Sequence, residues 1–146
     1  FMPLEWCGER DLEARGSRTS ARGWASSANA AAVGVELRSI EAAAWWSEVA
    51  TYRFILAPLG LGIQTSKMIE ALLVLTVPIV PRVLVHSELV RGGFPLALVD
   101  SWENITRETL EAWWSELSPR LVRFRRNCLT VEGYWRFFTG AASACT

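Results

Sequence analysis

Two apolar runs dominate the centre of the chain, and prolines break both. "FILAPLGLGI" covers Phe54 to Ile63 with ten uncharged residues, and "ALLVLTVPIVP" covers Ala71 to Pro81 with eleven. A membrane-spanning helix needs about 20 predominantly apolar residues, so neither run spans by itself. Met68 to Val85 has the length, with Glu70 near one end and Arg82 near the other, where long side chains can snorkel to an interface. Pro78 and Pro81 oppose a single spanning helix, because each deletes a backbone donor and frees a carbonyl that hydrocarbon cannot satisfy. The same residues can form the core of a soluble domain, with "LLVLTV" as helix or buried strand and "PRVLVHSEL" as a second extended run. Periodicity does not separate helix from strand in so short a run. Length favours membrane contact, and the soluble core stays open beside it.

The flanks read differently. Ser17 to Gly34 carries Arg18 and Arg22 but no acid, a composition shared by organellar targeting segments and low-complexity arms. Residues 1–38 are therefore expected as an extended or low-complexity arm, 39–140 as a single helical domain and 141–146 as a frayed tail. A helix is expected from Ser39 as N-cap, with Trp45, Val49, Tyr52 and Leu56 on one face and Pro58 and Gly60 ending it. "RGGFPL" predicts a loop. After it, "DSWENITRETLEAWWSEL" predicts an amphipathic helix capped by Asp100 or Ser101, with Leu110, Trp113, Trp114, Leu117 and Leu121 on one stripe. Ser118-Pro119 then reads as the cap and first position of a new helical turn.

The tetrapeptide "WWSE" occurs at Trp45–Glu48 and again at Trp113–Glu116. Outside it the two surroundings diverge, so the repeat reads as one helix device used twice rather than an internal duplication. Adjacent tryptophans on a helix point about 100° apart, so one enters a core while its neighbour lies at a boundary. Tryptophan joins a large apolar ring to one N–H donor, which suits a protein or membrane interface. Trp45, Trp46, Trp113, Trp114 and Trp135 are the expected interface anchors. Arg120, Arg123, Arg125 and Arg126, with Phe124 between them, are the expected basic surface for an acidic partner, lipid or RNA.

Most familiar chemistry lacks its signature. His86 is the one histidine, and no Cys-x-x-Cys or His-x-x-x-His spacing occurs, so no metal or other cofactor is expected. Gly-x-x-x-x-Gly-Lys, Gly-x-Gly-x-x-Gly and Gly-x-Ser-x-Gly are all missing from the sequence. His86-Ser87-Glu88 are chain neighbours and cannot align as a catalytic triad; a catalytic reading would need His86, Glu70 and Asp100 to converge. Charges balance at 15 basic and 15 acidic, so no global field favours nucleic acid. Cys7, Cys128 and Cys145 are odd in number and far apart, which predicts free thiols, with a Cys7–Cys145 pair as the alternative.

Together these features predict a mainly α, small helical domain with a very apolar centre. The expected role is a non-catalytic accessory or assembly subunit of an organellar, mitochondrial, membrane complex. Its expected partners are other protein subunits and lipid. A soluble helical protein- or RNA-binding domain is the alternative.

Overall fold

The computed structural model describes residues 16–60 and 66–145. Helices dominate. They are α1 (16–25), α2 (Ala28–Ala32), α3 (Trp45–Val49), α4 (Ser66–Leu73), α5 (Leu84–Arg91), α6 (Arg107–Cys128) and α7 (Val131–Phe138). Three strands, β1 (Phe54–Leu56), β2 (Val77–Pro81) and β3 (Ala97–Val99), form one parallel sheet in the order β1-β2-β3. The chain thus alternates β1-α4-β2-α5-β3 through its middle, with helices added at both ends. The mainly helical expectation holds; the parallel sheet at its centre was not expected, and "LLVLTV", read as helix or buried strand, instead ends α4 and turns into β2 at Val77.

The apolar centre explains itself in that sheet. Val77, Pro78, Ile79 and Val80 are all buried, as in a strand covered on both faces. Two prolines fit because of register. Val77 N–H donates to Arg53 O and Ala57 N–H to Ile79 O, so Val77 and Ile79 bond to β1, and the alternate residues face β3. Pairing with β3 begins at Ile79 opposite Ala97, just past the missing N–H of Pro78. Pro81 lies beyond the last β1 pair, Leu56 opposite Ile79. Neither proline removes a ladder bond, which is how a strand tolerates them.

Met68 to Val85 is therefore divided among α4, β2 and the start of α5. Among the described residues no helix is long and apolar enough to cross a membrane. "PRVLVHSEL", expected as extended, turns helical at Leu84 once β2 has ended. The helix expected from Ser39 is also shorter than its periodicity implies. A 3₁₀ turn at Ala42–Ala44 leads into the five residues of α3, and Leu56 lies in β1 instead. Tertiary pairing captured the second half: Thr76 donates its hydroxyl at the end of α3, with Val49 O at 2.9 Å and Tyr52 O at 3.0 Å.

Both termini depart from expectation. Over residues 16–32 the supposed extended arm is α1 and α2, and Ala21, Trp24, Ala25 and Ala30 belong to the same core as Val77 and Phe124. Residues 1–15 lie outside the described residues. The supposed frayed tail is anchored. Cys128 and Cys145 form a disulfide with Cα atoms 5.6 Å apart, correcting the free-thiol expectation; Cys7 lies outside the described residues. Cys145 N–H donates to Gly92 O at 2.7 Å, and Gly93, at φ +99°, packs against the Cys145 carbonyl so closely that a Cβ would collide.

The C-terminal helices begin where hydroxyls accept backbone N–H groups. Thr106 and Thr109 cap α6 reciprocally, and Thr130 accepts from Gly133 at the start of α7. Ser101 caps only the 3₁₀ turn at Trp102–Asn104, so α6 starts six residues after the expected cap. It then runs through Pro119 without a break, where a new start had been expected. Phe94 seals this end of the core, edge-on to Phe124 at 4.7 Å and tilted against Phe137 at 5.4 Å.

Candidate binding cleft and aromatic surfaces

β1 is the edge of the sheet, and a cleft of about 710 Å³ runs beside it. Its walls are β1, α3, the irregular segment 33–40 and the first turn of α6. The floor is apolar, including Val33, Trp45, Val49, Phe54, Leu56 and Leu110, and the rim is charged. This volume falls within the range of pockets that hold small ligands or peptide segments, roughly 300–1,000 Å³.

Hydrogen bonds and ion pairs hold the segment 33–40 across the mouth. Tyr52 donates its hydroxyl to Glu36 Oε2 at 2.8 Å, and Arg38 donates to the Tyr52 oxygen at 3.4 Å. Arg38 Nη2 also lies 2.7 Å from Glu48 Oε1, an ion pair whose angles fall short of a hydrogen bond. Donation to the Glu36 carboxylate raises the Tyr52 pKa above the ordinary 10.0, because an ionised phenol would face that carboxylate. The hydrogen bond to Tyr52 and the charge of Glu48 raise Arg38 further.

Cations gather on the same rim. Arg53 lies over the Trp114 ring at 5.2 Å, and Lys67 over the Trp45 ring at 5.5 Å. Arg38 and Arg107 also line the cleft, so four cations stand against the two lining acids, Glu36 and Glu111. Among the described residues, the buried Trp45 Nε1 has no acceptor.

The expected anchors therefore lie in different surroundings. Trp45 lines the cleft, and Trp114 packs edge-on against Phe54 of β1 at 5.8 Å, so each "WWSE" copy contributes one ring to the surroundings of β1. Trp113 is half-buried against the core, and Trp46 is 48% exposed. The two copies share little else, since the first fills a five-residue helix and the second lies within a helix of 22 residues. Trp135 sits apart, on α7. There Val131, Tyr134, Trp135 and Phe138 occur at i, i+3, i+4 and i+7, and all four are exposed, at 92%, 37%, 68% and 50%. Phe137, on the other side of that helix, packs inward on Phe94.

The basic cluster is partly structural. Arg120 donates to Gly93 O at 2.9 Å, and Arg125 to Leu73 O at 3.2 Å, satisfying carbonyls at a turn and at the end of α4. Arg123 and Arg126 are exposed and, among the described residues, make no ion pair. His86 is buried, its Nδ1–H donating to Pro81 O at 2.7 Å, the arrangement of a satisfied core histidine. Asp100 pairs with Arg82 at 2.8 Å, so neither residue's partner is one the catalytic reading required. Glu70 is half-buried on α4, and no contact joins it to His86 or Asp100.

Sequence reasoning missed Glu36, Tyr52, Arg53 and Lys67. One available signal was "YRFIL", an aromatic and β-branched run before Pro58 that reads as a strand flanked by a basic residue. Comparison with protein-family models, curated proteins and solved structures finds no match.

Proposed function

We propose that the chain is a non-catalytic binding protein, an accessory or assembly subunit that docks on another protein through α7. One observation carries this reading: the apolar stripe of α7 faces outward. Amphipathic helices normally turn that stripe to the core, and exposed aromatic surface of this kind marks protein interfaces. Trp135 and Phe138 supply area at little entropic cost, and the neighbouring Arg136 on α7 favours a partner with an acidic rim. The capping of carbonyls by Arg120 and Arg125 leaves two of the four cluster arginines for such contacts and weakens an RNA-binding reading.

Photo-cross-linking in cells that express the full chain tests the proposal. A photoreactive residue at Tyr134 should yield one discrete adduct, lost in the Trp135→Ala, Phe138→Ala double variant, while a probe at Glu103 yields none. Absence of any adduct at Tyr134, or an adduct indifferent to the double variant, would sink it. The organellar membrane setting is a separate part of the proposal and rests on the tryptophan content, since Ser17 to Ala32 folds into the core instead of forming an arm. Carbonate extraction of isolated organelles addresses that part, and recovery of the chain only in the cytosolic fraction would remove it.

A further inference from the structure

We infer that the cleft beside β1 is a second binding site, one that takes an extended acidic segment of a partner protein as an added strand. The backbone supplies the first argument. Arg53 O and Ala57 N–H bond to β2, so by the alternation of a parallel ladder Ile55 also faces β2. The N–H and C=O groups of Phe54 and Leu56 consequently face the cleft side. Among the described residues no hydrogen bond reaches them. An edge strand with open donors and acceptors is a template for another strand, and strand addition is a recurrent mode of peptide recognition.

Charge supplies the second argument and selects the occupant. Arg38 is paired with Glu36 and Glu48, but Arg53, Lys67 and Arg107 make no ion pair among the described residues, and Arg53 and Lys67 are held over tryptophan rings. An alternating peptide, apolar toward Phe54 and Leu110 and acidic toward the rim, meets both conditions at once.

The site is distinct from the exposed face of α7, so the two readings stand or fall separately. The probes are a heptapeptide alternating Val and Glu and its Val-Lys counterpart, titrated into the ¹⁵N-labelled full chain. The Val-Glu peptide should shift the Trp45 indole proton and slow exchange of the Phe54 and Leu56 amides at least tenfold. The Val-Lys peptide should not bind. Methylating alternate peptide nitrogens should abolish binding, because the added strand then lacks donors. Lys67→Gln and Arg53→Gln together should weaken binding of the Val-Glu peptide about tenfold and flatten its dependence on salt. The Trp135→Ala, Phe138→Ala variant should bind the peptide as the parent does; loss of binding there would place the peptide on α7 and overturn the cleft. Binding without protection of Phe54 and Leu56 would overturn strand addition, as would equal affinity for both peptides or affinity for neither.

Discussion

Thr76 and Tyr52 show how single side chains hold this fold. Thr76 is fully buried, and its hydroxyl serves carbonyls at the end of α3. Thr76→Val keeps the shape but takes the hydroxyl donor from the Tyr52 carbonyl, while Val49 O still accepts from Tyr52 N–H, so urea unfolding should show a loss of about 1–2 kcal/mol. Tyr52 acts through its proton. The folded state holds that proton more tightly than the unfolded chain, since Glu36 accepts it and the pKa lies above 10.0. Its contribution is complete below the ordinary tyrosine value and disappears as pH rises through the higher folded value. With Tyr134→Phe as background, phenol absorbance should follow Tyr52 alone, and Tyr52→Phe should remove the alkaline transition from the stability curve. A titration at or below pH 10 would contradict the Tyr52–Glu36 contact.

At the scale of elements, α6 carries a built-in weakness. Pro119 removes the donor that the Ser115 carbonyl would accept from and crowds the preceding turn. Its side chain is exposed, so Pro119→Ala should add about 1–3 kcal/mol without disturbing the core, seen as a melting temperature raised by several degrees. The helices also show what local pattern can and cannot reveal. The stripe of α6 was legible because Leu117 and Leu121 repeat at helical spacing and do face the core. The loop at Arg91 to Leu96 was legible from Gly-Gly and the X-Pro step. The periodicity from Trp45 to Leu56 was equally regular and failed, since β1 gained more from pairing with β2 than α3 could gain from about two further turns in isolation.

For the whole molecule, the disulfide closes a loop of 17 residues and holds α6, the Gly92–Gly93 turn and the tail together. Chain-entropy arguments put its contribution at about 3 kcal/mol. Cys145→Ser, or reduction of the parent, should lower stability by that order and raise proteolysis beyond Phe138. Gly93→Ala should mimic part of this, because alanine there is strained at φ +99° and its Cβ meets the Cys145 carbonyl. Unchanged stability after reduction, with the tail still protected, would show that the hydrogen bond to Gly92 suffices.

By itself the sequence determined the helical majority, the amphipathic C-terminal helix, the turn at Gly92 and the abundance of interface-type aromatic residues. These follow from capping, propensity and spacing, which act over a few residues. Tertiary structure decided the rest. It placed the prolines of the apolar centre where the ladder needs no N–H, brought Cys145 to Cys128, and folded residues 16–32 onto the core. It also assembled the cleft from Glu36, Trp45, Tyr52, Phe54, Lys67 and Arg107, residues spread over more than 70 positions. Strand pairing, disulfide partnership and shared cavities are contacts between distant segments, and their energy depends on which surfaces meet.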